Sequence, residues 1–179
     1  MKKIKIVLCC VVLCMNLGGC IRPMSRGERL TKELGSEHQM ADQMMEDIAT
    51  ALDNGDADAL KALFSEAALE EATDIDRQIS ALLNFYQGKM QNFEGTLSSS
   101  TDTEYGKDVE KQIIGEYLLT TDKESYRVIY DYTVIDKENS DAVGLSQLEI
   151  VPDELYQKDD FDFLCGNEGY EGPGVYMQE

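Results

Sequence analysis

The spacing of apolar residues changes once along this chain, near Gly95, and that change constrains the fold more than any other feature. Before it, Ala41, Met44, Met45, Ile48, Ala51 and Leu52 recur at three- and four-residue intervals, one face of a helix. Ser36 with Gln39 three positions on predicts a capping box at the start. Asn54-Gly55 predicts the end, glycine suiting the left-handed C′ position. A shorter helix is expected from Asp56 through Ala59, Leu60, Leu63 and Phe64. A third is expected to open at Thr73 or Asp74, carry Ile75, Ile79, Leu82, Leu83 and Tyr86, and stop near Gly88. Beyond Gly95 the period is two, with β-rich runs at 93–101, 109–120, 125–135 and 142–151. In the third run Tyr126, Val128, Tyr130, Tyr132 and Val134 share one face, and Arg127, Ile129, Asp131, Thr133 and Ile135 the other. Polar turns at 121–124 and 137–141 are short enough for hairpins, so the pairing is antiparallel, and Pro152 is expected to end the sheet. Helices followed by a meandering sheet make an α+β domain over 36–152, with three N-terminal helices on about four strands.

The N-terminus sets a destination. Lys2, Lys3 and Lys5 precede an apolar run from Ile6 to Met15, then Leu17-Gly18-Gly19-Cys20. A basic start, a short apolar stretch and small residues at a cleavage point make a secretory signal over 1–19. The apolar run is too short to span a bilayer as a helix. Leu17, Gly18 and Gly19 before Cys20 resemble the bacterial lipobox, which implies that Cys20 becomes the acylated first residue of the mature protein. The expected location is the cell membrane, lipid-anchored and facing away from the cytoplasm. Residues 20–35 lack clear periodicity and read as a tether; about 15 extended residues reach roughly 50 Å.

The chain's 179 residues carry 35 Asp and Glu against 16 Lys and Arg, a formal charge of −19 that loss of the three signal lysines makes more negative. Phosphate neutralisation needs clustered cations, so a nucleic-acid partner is not expected. A body lying flat on an anionic membrane is disfavoured for the same reason. Of five cysteines, Cys9, Cys10 and Cys14 belong to the signal and Cys20 to the lipid, so only Cys165 remains and no internal disulfide can form. A nucleophilic Cys165 would need a cationic or imidazole neighbour; Asp159, Asp160, Asp162 and Glu168 surround it in sequence instead. The acidic tail 153–179, with Tyr156, Phe161, Phe163, Tyr170 and Tyr176, is expected to dock on the domain through those aromatics.

Leu52-Asp53-Asn54-Gly55-Asp56-Ala57-Asp58-Ala59-Leu60-Lys61-Ala62-Leu63-Phe64 resembles the helix–Gly–Asp–helix corner of the NTF2-like (SnoaL-like) superfamily. The domain over roughly 37–151 is also similar to uncharacterised lipoproteins of clostridia and related gut bacteria, known as a domain of unknown function. The first resemblance implies a cone in which helices pack into a curved antiparallel sheet, and pairing of two copies through the sheet. It also implies a pocket, for which Tyr86, Tyr117, Tyr130, Asp131 and Tyr132 are the candidates. Some relatives by that resemblance are isomerases or cyclases using a carboxylate base with tyrosine or carboxyl donors. Strand alternation weakens that analogy here: Asp131 points away from both Tyr130 and Tyr132. Asp131 with Tyr117 or Tyr86 is the remaining combination.

Other chemistry is scarce. His38 is the only histidine, so neither a histidine triad nor a multi-histidine metal site can be built. An EF-hand loop from Asp56 would place Leu60 at its fifth position, and one from Asp136 would place Asp141 at its sixth and Gln147 at its twelfth; neither fits. No phosphate-binding glycine loop or Gly-x-Ser-x-Gly elbow occurs. Met40, Met44 and Met45 sit at core-packing intervals. The expectation is a module, without catalytic residues, metal or cofactor, that holds a small ligand or an envelope protein.

Overall fold

The computed structural model describes residues 26–165 and 172–178. The chain divides into Met1–Leu34 and Gly35–Glu179, and the domain below is the second unit. The described elements are α1 (Arg26–Asn54), which belongs to the second unit from Gly35 on, α2 (Ala57–Lys61), α3 (Glu66–Glu71), α4 (Ile75–Phe85), β1 (Met90–Glu104), β2 (Lys107–Thr121), β3 (Ser125–Asp136), β4 (Gly144–Pro152), α5 (Asp153–Tyr156) and β5 (Gly174–Met177). The architecture is α+β, on a sheet ordered β1-β2-β3-β4-β5. The sheet has five strands rather than about four. The fifth comes from the tail and runs parallel to β4, Gln147 facing Gly174 and Ile150 facing Met177. Pro152 therefore ends β4 but not the sheet.

α1 starts at Arg26, so Ser36 and Gln39 lie within a helix rather than at its start. Its end follows the expected chemistry. Gly55 takes φ +63, its N–H bonds to Leu52 O and that of Asp56 to Ala51 O, the paired reverse bonds that satisfy terminal carbonyls. Asp56 then caps α2, Oδ1 accepting from Ala59 N at 2.9 Å. One residue thus closes a helix and opens the next. α3 is an additional turn capped by Ser65, whose backbone N–H donates to Leu145 O while Leu145 N–H donates to Leu63 O. This stitch holds the helical layer against β4. Gly144 stands beside it at φ +134, where an added Cβ would lie 2.6 Å from Ser65 N.

The core lies between the helices and one face of the sheet. Ala41, Met45, Ile48, Ala49 and Leu52 of α1 are buried with Leu60, Ile79 and Leu82 of the other helices. They meet Ile113, Tyr117 and Leu119 of β2, Tyr126, Val128 and Tyr130 of β3, and Leu145, Leu148 and Ile150 of β4. Two glycines make room for the rings. A Cβ on Gly115 would lie 2.3 Å from the Tyr130 ring, and one on Gly95 would lie 2.5 Å from that of Tyr117. Tyr117 and Tyr130 stack above that space with centroids 6.0 Å apart.

Candidate functional site

Three of the five sequence-predicted pocket residues, Tyr86, Tyr117 and Tyr130, are buried on the inner face with their hydroxyls committed to α1. Tyr86 donates to Asp53 Oδ1 at 2.8 Å, Tyr117 to Asp42 Oδ1 at 2.8 Å and Tyr130 to the Ala41 carbonyl at 2.7 Å. Burial raises the pKa of all three phenols, and the neighbouring Asp53 and Asp42 raise those of Tyr86 and Tyr117 further. They are neutral donors at physiological pH. Tyr132 follows a register shift in the β3–β4 pairing and packs partly buried against the same core. Toward the N-terminal end of this seam, Glu37 and Lys111 form an ion pair of 3.0 Å with both side chains at most 7 % exposed. Ser99 donates to the second Glu37 oxygen at 2.9 Å. These bonds link α1 to residues far along the chain.

Asp131 lies on the opposite face. It lines a cavity of about 170 Å³ with Ile114, Ile129, Tyr130, Gln147 and Cys165. Burial pushes its carboxyl pKa up, against the Ser146 hydroxyl and the Tyr132 backbone, which favour its charge. No lysine or arginine pairs with it among the described residues. The wall is completed by the tail. Glu149 of β4 is fully buried and accepts from the Cys165 N–H at 2.8 Å and from Gln178 Nε2 at 2.7 Å. Arg127 pairs with Asp153 at 2.8 Å and lies 4.3 Å over the Tyr156 ring, while Tyr156 Oη donates to Glu116 at 3.0 Å. Tyr156, Phe161 and Phe163 cluster with centroids 5.0–5.8 Å apart. Burial raises the Cys165 thiol pKa strongly, with Glu149 and then Asp131 adding to it, so the thiol is protonated and a poor nucleophile. The carboxylates responsible differ from the four suggested by sequence proximity.

A larger concavity of about 450 Å³ lies at the β2–β3 turn, lined by residues 121–125 with Asp153 and Glu154. Its polar walls open to solvent and contain none of the candidate residues. His38 is exposed on α1. No cluster of histidine, cysteine and carboxylate residues fit to hold a metal occurs among the described residues, and no described helix is long and apolar enough to cross a membrane. Leu17, Gly18, Gly19 and Cys20 lie outside the described residues.

Sequence reasoning missed Glu149 and Gln178, and no local signal marks them. Glu149 sits in a strand that reads as an ordinary half-buried run, and its partners arrive from the tail.

The geometry defines an α+β domain whose inner face is occupied by its own core and whose outer face keeps a small carboxylate-lined hollow. Residues 47–154 match the Domain of unknown function DUF5104, and the chain belongs to that family. No curated protein matches it. The match spans Asp131 and all four candidate tyrosines and stops before Cys165.

Proposed function

We propose that this protein is a lipid-anchored module outside the cytoplasm, of the kind found in clostridial lipoproteins. On this reading it holds a small ligand rather than transforming one. The observation that carries this is the separation of Asp131 from the buried tyrosine hydroxyls across the thickness of the sheet. A base and its hydrogen-bond donors must converge on one substrate. Here Tyr86, Tyr117 and Tyr130 bond to α1, while Asp131 lines the outer cavity. That separation speaks against the isomerase- or cyclase-like alternative. The outer cavity is then the place for a ligand. At about 170 Å³ it is smaller than the roughly 300–1,000 Å³ of drug-sized ligand sites, so its occupant has few heavy atoms.

The finer fold assignment, an NTF2-like cone, belongs to the same proposal. It is supported by the helices preceding an antiparallel meander and by the Gly55–Asp56 corner. Pairing of two copies through the outer face is disfavoured, because α5 and the tail cover part of that face.

Two measurements test the reading. Cys20→Ala should abolish incorporation of labelled lipid and release the protein from membranes; continued membrane association would place the anchor elsewhere. A thermal-shift screen of small metabolites should find ligands whose stabilisation disappears in Ile114→Trp, where an indole fills the cavity mouth. Stabilisation that survives Ile114→Trp would put the binding site elsewhere.

A further inference from the structure

The β1–β2 hairpin runs past the rest of the sheet. β3 begins to pair with β2 at Glu110 and Asp136, whereas β1 and β2 continue to Glu104 and Lys107. The overhang beyond Val109 is about 13 Å, at roughly 3.3 Å per residue. At its end Tyr105 is 99 % exposed, the most exposed large hydrophobic residue among those described. Tyr105 and Gly106 both have positive φ, +50 and +75, as a two-residue hairpin turn requires. Asparagine, aspartate or glycine suits the first of these positions; a bulky aromatic is strained there. A tyrosine in this place is favoured neither by the turn nor by the core.

The tip lies at a particular end of the domain. Asp53, near the C-terminal end of α1, accepts from Met90 N at the start of β1. Asp42 meets Tyr117, the partner of Gly95. Glu37 meets Ser99 and Lys111, further toward the tip. Descending α1 toward its N-terminus therefore means advancing along β1 toward Tyr105. The hairpin points out of the end at which the chain enters the domain at Gly35.

We propose that the Tyr105 tip is a membrane-contact point that sets how the anchored domain stands on the bilayer. The inference rests on the lipid anchor at Cys20 proposed above. The segment read from sequence as a tether is helical from Arg26 on. At about 3.4 Å per extended and about 1.5 Å per helical residue, Cys20 and Gly35 are at most roughly 35 Å apart, so the entry end stays near the lipid. Tyrosine suits the headgroup region, where its ring meets apolar material and its hydroxyl meets water. One ring binds a bilayer weakly. The tether makes that contact intramolecular, and a weak second contact then suffices to orient the domain. Asp102, Glu104 and Asp108 against Lys107 leave the tip mildly acidic, so the contact depends on the ring and not on attraction to anionic lipid.

The chain has no tryptophan, so Tyr105→Trp supplies one emitting indole at an exposed position. The full-length acylated variant, reconstituted into phosphatidylcholine vesicles, should emit at shorter wavelength than in detergent-free solution after release from its lipid. Lipids brominated near the headgroup should quench it. Unshifted, unquenched emission from protein that floats with the vesicles would overturn the tip contact and leave the anchor standing. Failure to float would overturn both. A shift that appears only when envelope proteins are added would assign the tip to a protein partner and overturn the membrane contact.

Discussion

The two faces of the sheet are covered by different parts of the chain. On the inner face α1 meets two strands and the end of α4 through matched pairs. Three are tyrosine hydroxyls with their acceptors, Tyr117 and Tyr130 from the strands and Tyr86 from the end of α4, and one is a lysine with a glutamate. On the outer face the tail covers Glu149 with a backbone N–H and an amide, and Asp131 stays beside a cavity. The named polar groups of the inner face are thus committed to one another. The outer face, covered late in the sequence and incompletely, retains a carboxylate with room next to it. Position in the chain thus separates structural polar groups from available ones.

The largest expected effect breaks the inner face. Lys111→Met leaves Glu37 buried without its cation, and loss of one partner of a buried pair costs about 3–5 kcal/mol. The urea midpoint of the variant should fall accordingly. Lys111→Met combined with Glu37→Leu should recover most of the loss, since the penalty is the uncompensated charge more than the missing attraction. A single variant as stable as the parent would mean that water reaches Glu37 and that the seam is not dry.

Alkaline pH separates the faces. Cys165 is raised from an ordinary value of 9.0, and Tyr86, Tyr117, Tyr126, Tyr130 and Tyr132 from 10.0. An acid whose folded-state pKa is raised keeps its proton in the fold while the unfolded chain releases it. Its stabilising share is intact below the unfolded value and is lost as pH rises beyond it. Stability measured by denaturant titration should therefore begin to fall near pH 9 on account of Cys165 on the outer face, and fall more steeply above pH 10 on account of the five inner tyrosines. Tyr156 on the outer face, raised by its bond to Glu116, adds to that second decline. Cys165→Ala should remove the first decline and leave the second. An unchanged profile in that variant would show the thiol to be solvent-accessible.

The sequence reveals regular elements where period and punctuation agree. α1 ends at the Gly55 position that its glycine indicates, and the four predicted runs coincide with β1 to β4 within a few residues. Strand alternation also places Asp131 away from Tyr130, as observed. The remainder depends on contacts between distant residues. Asp42, Asp53 and Glu37 look like the polar border of a helix until Tyr117, Tyr86 and Lys111 reach them. β5 is four residues in a glycine-broken tail, and its parallel partner supplies no hairpin signal. α3 is one capped turn, too short to show a period. The Tyr105-Gly106 turn escapes notice because tyrosine is not a turn former.

That turn gives the smallest expected effect and the sharpest contrast with both faces, because the tip is covered by neither. Tyr105 holds φ +50 without any burial to compensate. Replacing it with glycine, which adopts positive φ freely, should stabilise the domain by about 0.5–1 kcal/mol if the strain of the left-handed conformation outweighs glycine's extra chain entropy. For a chain of this size that is a rise of roughly 2 °C in melting temperature. Tyr105→Asn should do nearly as well, since asparagine tolerates the conformation with less entropy to lose. Both variants should leave the alkaline profile untouched, the titrating groups lying in the sheet body and under the tail. A melting temperature that falls in both would mean that the ring packs against the ribbon, contrary to its full exposure. A rise in both would identify Tyr105 as a residue kept at a cost in stability, as a contact residue is and a turn residue is not.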